Sequence, residues 1–144
     1  MKRMIDGFFV ASIVLVLVSI TGFIAGAGQS QETAWKAPAS ADTLKNPFSG
    51  DTLALKEGRK IYQSACWTCH GKFGKGDGPA AKGLSKKPAD HTSPGFQDQT
   101  DGSIFWKISR GKGQMSPYEK IYSRAQRWKL VVFIRSLSIN KNPQ

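Results

Sequence analysis

Apolar residues recur at near-helical spacing in the C-terminal part of the chain, whereas strand-like alternation is hard to find. The first such segment starts after Asp51 or Thr52, either of which can cap a helix, and continues to Cys66. Its apolar positions are Leu53, Leu55, Ile61 and Tyr62. Gly58 interrupts this predicted helix at a cost of about 1 kcal/mol relative to alanine. Close approach of a second helix at Gly58 is the best reason for that cost.

Two further helices are predicted downstream. Asp101 can cap a helix from Gly102 to Arg110, with Gly111 as its stop and with Ile104, Phe105 and Ile108 facing inward. The segment from Ser123 to Gln126 fits a capping box before the last helix. The broad apolar face of that helix consists of Trp128, Val131, Val132, Phe133, Ile134 and Leu137. We expect the first and last helices to cross at Gly58.

The intervening segment, residues 71–99, is rich in Gly, Pro, Lys and Asp and is predicted to be a long loop. The fold class is therefore all-α, with three to four short helices and one long loop. A domain of fewer than about 100 residues with so much loop buries too little apolar surface to be stable alone. An additional component is expected in its core.

An uncharged, mostly apolar stretch from Gly7 to Gly28 follows Lys2 and Arg3. It fits a cleaved signal peptide, because its strongly apolar part is short and Ala25 to Ala27 has the small-x-small pattern that signal peptidase accepts. It also fits an uncleaved membrane anchor, because the whole stretch can cross a hydrocarbon core of about 30 Å. Either way, the preceding positive charges predict that the rest of the chain is exported to the periplasmic side of the cytoplasmic membrane.

The chain accordingly divides into a signal peptide or anchor helix (1–28), a linker (29–50) and a folded domain (51–144). Few large apolar residues occur in the linker, which favours a flexible tether. Trp35, Leu44 and Phe48 favour the alternative, in which parts of this segment pack on the domain.

Charge narrows the choice of partners. Lys and Arg total 21 against 10 Asp and Glu, a formal net charge of +11. Such a surface favours anionic partners, although it also serves simply to keep a small protein soluble. Nucleic acid is a poor fit, because the basic residues are spread along the chain and form no recognisable binding motif.

The only two cysteines are Cys66 and Cys69. A redox disulfide would normally occur in a chain that alternates strands and helices. A structural zinc site would need four ligands, and the only Cys and His residues are these two with His70 and His91. Because Cys69 and His70 are adjacent in the chain, these four residues are poorly arranged to bind one zinc ion tetrahedrally.

The sequence Cys66-Trp67-Thr68-Cys69-His70 indicates another chemistry. At the Cys-x-x-Cys-His spacing two thiols can add to the two vinyl groups of one haem, while the following imidazole reaches the iron from the same side. A covalent haem would also be the apolar component that the small core needs. We therefore predict one covalently attached haem c, with His70 as an iron ligand.

With this motif in place, residues from about Asp51 to Asn140 resemble a class I cytochrome c domain. The resemblance rests on a helix with Gly58 and Tyr62, the haem motif, a long loop, a methionine, and a last helix with Phe133. The segments 76–81 and 102–108 are also similar to parts of small bacterial monohaem cytochromes. The resemblance implies a fold wrapped around the haem, in which the glycine and the two aromatic residues join the terminal helices.

The resemblance also implies a sixth ligand. Met115 follows the Gly- and Lys-rich turn from Gly111 to Gln114, where this family has its axial methionine. One departure is that Ser116 precedes Pro117, whereas the family commonly has proline directly after the methionine. The alternatives are His91 as the ligand or an open iron position.

Supporting roles are predicted for several further residues. By resemblance, a proline carbonyl accepts the other N–H of His70, and Pro79 is the nearest match. Trp106 and Tyr118 are candidates to cover the haem edge or bind a propionate, although Trp106 also suits a plain core position. The loop lysines, which are candidates to guide docking on an acidic partner, are Lys72, Lys75, Lys82, Lys86, Lys87 and Lys112.

Two classes of function follow from the sixth ligand. His and Met together saturate the iron and give an electron carrier, or a monohaem subunit of a respiratory complex, between a quinol-oxidising complex and a terminal oxidase or reductase. An open position would instead favour a small-molecule sensor or a peroxidase-like enzyme. The related peroxidase cytochromes carry two haem motifs and this chain has one, so we predict a carrier and no enzyme.

Overall fold

The computed structural model describes residues 35–139, and the predicted leader lies outside them. The helices in this range are α1 (Ala39–Asp42), α2 (Thr52–Ala65), α3 (Trp67–His70), α4 (Pro94–Gln97), α5 (Asp101–Arg110) and α6 (Arg124–Ile139), with a 3₁₀ turn at Ala81–Gly83. Between residues 35 and 139 there is no strand, only an isolated bridge between Lys112 and Met115. The all-α prediction is confirmed. No helix in this range is long and apolar enough to span a membrane.

Side-chain caps define the starts of the long helices. Asp51 caps α2 by accepting from the N–H groups of the next turn, at 2.8 and 3.0 Å. Ser123 and Gln126 form the predicted reciprocal capping box of α6, at 2.8 and 3.2 Å. The prediction of Asp101 as the cap of α5 was wrong, because Thr100 caps this helix.

The two terminal helices cross at Gly58, as predicted. A Cβ atom at this position would collide with the carbonyl oxygen of Lys129 in α6 and would lie 3.0 Å from the Cβ of Phe133. The Tyr62 and Phe133 rings meet beside the crossing, with centroids 5.0 Å apart. The core around it consists of Ile61, Tyr62, Ile104, Phe105, Ile108, Trp128, Leu130, Val131, Ile134 and Leu137.

Residues 35–50 pack on this core. Ala41 is buried, and its carbonyl oxygen lies so close to Gly102 that a Cβ there would collide with it. The Asp42 carboxylate accepts hydrogen bonds from the hydroxyls of Thr100, at 2.6 Å, and Ser103, at 2.8 Å. Of the two interpretations of the linker, these contacts favour packing for its described part.

Candidate functional site

The Cys-x-x-Cys-His segment forms one helical turn at the end of α2. The N–H of Cys66 donates to the Tyr62 carbonyl, at 2.9 Å, and closes α2, while the N–H of His70 donates to the Cys66 carbonyl, also at 2.9 Å. Residues three and four apart lie on one side of a helical turn. Cys66, Cys69 and His70 therefore share a side, and both thiols are free and half-buried.

The state of these thiols bears on the alternatives to haem. Burial, with a smaller contribution from Cys69, raises the pKa of Cys66 to about 12. Redox Cys-x-x-Cys pairs need the opposite shift, because the thiolate is the reactive form. Within residues 35–139, no group of three or more His, Cys, Asp or Glu side chains could hold a metal ion. Neither the redox disulfide nor the zinc site gains support.

The tautomer and the protonation state of His70 suit a metal ligand. Its Nδ1 lies 3.1 Å from the Ala89 carbonyl oxygen. Because a carbonyl only accepts, Nδ1 carries the hydrogen and Nε2 keeps its lone pair. Burial lowers the pKa of His70, against the opposing effect of the hydrogen bond to Ala89, so the ring is neutral at neutral pH. Nε2 is thus the atom available to iron.

The expectation that Pro79 supplies this carbonyl was wrong. The chain just before Pro79 is bound to the backbone of the motif instead, since the N–H of Gly78 donates to the Cys69 carbonyl, at 3.1 Å. Gly76, with a φ of 70°, lies against the Pro88 carbonyl where a Cβ would collide. This contact holds the later part of the loop, which includes Ala89, next to His70. Sequence reasoning missed Ala89 because every residue has a carbonyl, so no residue type indicates this role.

Met115 lies in a tight turn between α5 and α6. The N–H groups of Lys112 and Met115 each donate to the other residue's carbonyl, at 3.0 Å, which closes the turn. Gly111 and Gly113 have φ values of 62° and 58°, which favour glycine. The Met115 side chain is half-buried and packs against the core.

Three hydrogen bonds connect this turn and the residues after it to the rest of the site. The Tyr118 hydroxyl donates to the carbonyl of Ala65, the residue before Cys66, at 3.1 Å. The side-chain carbonyl of Gln114 accepts from the N–H and the hydroxyl of Ser85, both at 2.9 Å. The Met115 turn is therefore attached both to the end of α2 and to the long loop.

His91 is the rival ligand of the sequence analysis. Its ring is buried, at 5% exposure, and lies flat on the His70 ring, with centroids 4.2 Å apart and planes 21° apart. Two imidazoles on opposite faces of one iron point their nitrogens at the metal and cannot lie face to face. This geometry argues against His91 as the sixth ligand. Burial, with a smaller effect of His70, lowers the pKa of His91 well below its ordinary value.

The two candidate residues for the haem edge have other contacts. Trp106 is half-buried with its ring 6.3 Å from that of Trp35, and no described contact connects it with the motif. Its contact with the cofactor stays a prediction. Burial, as the largest of several effects, raises the pKa of Tyr118 to about 12. Its hydroxyl therefore keeps the proton that it donates to Ala65.

Exposed cations surround the motif. The lysines in the loops next to it, Lys72, Lys75, Lys82, Lys86, Lys87 and Lys112, all have exposed side chains. The turn that carries Lys82 is bound to the motif through the N–H of Ala80, which donates to the Thr68 carbonyl at 2.9 Å. The exposed side chain of Lys82 is thereby held near the motif.

The donors assembled here fit haem c. Two thiols on one turn match the two vinyl groups, a neutral imidazole offers Nε2, and a thioether lies on a turn joined to the same helix end. Together with the all-α fold, this donor set defines a c-type cytochrome domain. The family described as cytochrome c oxidase, cbb3-type, subunit III, matches residues 53–134, more than half of the chain. The chain belongs to this family of cytochrome c domains and binds one haem c covalently.

Solved structures are similar in fold. The Kuenenia stuttgartiensis reducing HAO-like protein complex Kustc0457/Kustc0458 is 28% identical with a TM-score of 0.57, and the match covers 65% of this chain and 46% of that one. Cytochrome cL from Methylophaga aminisulfidivorans is 21% identical with a TM-score of 0.52, and the match covers 64% of this chain and 60% of that one. Cytochrome cL from Hyphomicrobium denitrificans is 23% identical with a TM-score of 0.50, and the match covers 69% of this chain and 62% of that one.

This chain thus spans less than two thirds of the length of each of these three structures. The two cytochromes cL, at their level of identity, show the fold alone. A comparison with curated proteins found no match.

Proposed function

We propose that the chain is a dedicated one-electron carrier without a substrate of its own. In this proposal the thiols of Cys66 and Cys69 would hold the haem covalently, and His70 Nε2 and the Met115 sulfur would bind its iron. The bound haem supplies the iron couple that accepts and returns one electron. The observation that carries the proposal is the attachment of the Met115 turn to the end of α2, because it joins the fourth donor to the helix that ends at the thiols.

The protein's own residues set the properties of this carrier. The hydrogen bond from His70 Nδ1 to Ala89 fixes the tautomer and direction of the ligand ring. A thioether ligand beside an imidazole ligand would favour the reduced iron and raise the potential. Iron bound by both side chains would have no position left for a small molecule, which supports a carrier over a sensor or a peroxidase-like enzyme.

The redox partners in this proposal are acidic proteins. The exposed lysines beside the motif would attract an acidic surface and orient it towards the haem edge. A quinol-oxidising complex as donor and a terminal oxidase or reductase as acceptor suit a carrier of fairly high potential. The family description names an oxidase subunit and one similar structure is a complex, which supports the variant in which this chain is a monohaem subunit.

The proposed location is the periplasmic side of the cytoplasmic membrane. The positive charges before the apolar stretch 7–28 favour export of all that follows. The domain would then be released by cleavage or tethered by the uncleaved helix. Fractionation of cells into periplasm and membranes, followed by N-terminal sequencing of the chain, distinguishes the two forms.

Replacement of Met115 tests the proposed ligand set. The oxidised wild-type holoprotein should show the weak far-red absorption band of methionine-ligated haem c, and the reduced form should not bind carbon monoxide. Met115→Ala should lose the band, bind carbon monoxide and have a lower potential, whereas His91→Leu should keep the band. Carbon monoxide binding to the wild type would contradict the proposal and favour a sensor or an enzyme. Loss of the band in His91→Leu, with the band kept in Met115→Ala, would also contradict it.

A further inference from the structure

The proposed electron carrier does not explain the contact between His70 and His91. The two rings are stacked, with centroids 4.2 Å apart and planes 21° apart. His91 comes from the returning part of the long loop, 21 positions after His70 in the chain. The covalent bond to Cβ and the hydrogen bond at Nδ1 restrain one edge of the His70 ring. A flat surface against the face of the ring restrains the remaining tilt of its plane.

The His91 ring is itself held from several sides. Its backbone N–H donates to the Gly74 carbonyl, at 2.6 Å, and its carbonyl accepts from the Gln97 side chain, at 2.5 Å. The Phe96 ring lies 4.6 Å from the His91 ring, and the Tyr62 ring meets it edge-on at 6.0 Å. These contacts make His91 a fixed surface, since neither its backbone nor its ring can move without disturbing α2 or the loop.

The choice of histidine here is costly for the fold. His91 Nδ1 is buried without a hydrogen-bond partner, the only such side-chain atom among the described residues. An unsatisfied buried polar group typically costs about 1–3 kcal/mol, and leucine at this position would avoid the cost but would offer His70 no flat ring.

We propose that His91 is a positioning residue for the iron ligand: its ring fixes the rotation of the His70 imidazole about the iron–nitrogen axis. This inference rests on the proposed role of His70 as an axial ligand. The orientation of an imidazole ligand's plane controls how its π electrons overlap with the iron d orbitals, so a side chain that fixes this plane changes the properties of the iron. His91 therefore sets the electronic structure of the haem without binding it.

Proton NMR of the reduced wild-type holoprotein tests the stack directly. Ring protons of His70 should be strongly shifted upfield by the haem, which identifies it as the ligand, and should show nuclear Overhauser contacts to the ring protons of His91. A shifted His70 ring without these contacts would overturn the inference and leave the proposed function intact. A His70 ring without the upfield shift would refute the ligand assignment and the inference with it.

Two variants test the consequence for the iron. His91→Phe keeps a flat ring, whereas His91→Leu keeps a similar apolar volume without one. We expect His91→Leu to shift the largest g value in the electron paramagnetic resonance spectrum and to change the order of the haem methyl signals, and His91→Phe to match the wild type. Circular dichroism and haem content serve as controls for folding. Equal spectra for all three proteins, or the same change in both variants, would overturn the inference.

Discussion

At the scale of single residues, two glycines bring pieces of backbone together. Gly58 lies against the Lys129 carbonyl of α6, and Gly76 lies against the Pro88 carbonyl in the long loop. The first contact joins the terminal helices, and the second brings the Ala89 carbonyl to the ligand histidine. A Cβ atom has no room at either position, so both residues act on the site through the backbone.

Substitution of Gly58 tests the helix crossing. Gly58→Ala should lower the free energy of unfolding of the holoprotein by about 3 kcal/mol, because the new Cβ forces α6 away from α2. Guanidinium unfolding of the oxidised protein, followed by circular dichroism, measures the change. Gly95→Ala, in α4 with open space around it, is the matched control and should shift stability by less than about 0.5 kcal/mol. Similar midpoints for the two variants would contradict the crossing.

The sequence allowed some of these residues to be predicted and not others. The Cys66, Cys69 and His70 set was predictable because their chemistry needs particular side chains at a particular spacing. Gly58 was predictable because a glycine inside a helix needs a reason. The role of Ala89 was not, because it depends on a backbone atom and on how the loop returns. The stacking of His91 on His70 depends on the same loop path.

At the scale of elements, the helix caps show where the local sequence pattern is sufficient to predict the start of a helix. The Ser123–Gln126 box was predicted from local pattern alone and has the expected bonds, and Asp51 is the one of the two predicted caps, Asp51 and Thr52, that caps α2. Thr100 and Asp101 are both suitable caps, and a distant residue decides between them. The Asp101 carboxylate binds Arg135 of α6, at 2.7 Å, which leaves the cap position to Thr100.

Acid should weaken the attachment of α1 to α5. Hydrogen bonds from Thr100 and then Ser103 hold the pKa of Asp42 below its ordinary value of 3.8. Because the folded state has the lower pKa, Asp42 stabilises the protein above pH 3.8, and this contribution is lost as the pH falls through the folded-state pKa. Asp42→Asn should therefore lose less stability than the wild type as the pH falls below about 3.8 and through the folded-state pKa of Asp42.

Chemical unfolding at a series of pH values measures this difference. The Asp42 variant and the wild type should converge as the pH falls below about 3.8. If the gap between the two unfolding midpoints stays constant across the acid range, the Asp42 carboxylate makes no pH-dependent contribution to stability.

At the scale of the whole molecule, positive charge predominates. The chain has a net charge of +11, and the loops beside the motif expose a group of lysines. Fields of this kind act over about 10 Å at 0.1 M salt and mainly change association rates. Composition alone predicted the sign of the charge, and the folded loop supplied its position beside the motif.

Oxidation of the reduced holoprotein by ferricyanide, an anionic probe, tests this arrangement. The rate should fall as salt is added, because the probe and the protein have opposite charges. Lys82→Glu, next to the motif, should slow the reaction several-fold more than Lys60→Glu, an exposed position on α2 with the same change in net charge. Equal rates for the two variants would mean that only the net charge matters.

The central claim is that Cys66 and Cys69 bond one haem while His70 and Met115 complete a closed electron carrier. Mass spectrometry of the denatured protein, purified from a host that matures c-type cytochromes, tests the covalent bond on which the rest depends. We expect a mass equal to the chain plus one haem, and a haem-bearing peptide that contains both cysteines. A chain without this adduct, or a haem lost on denaturation, would contradict the account.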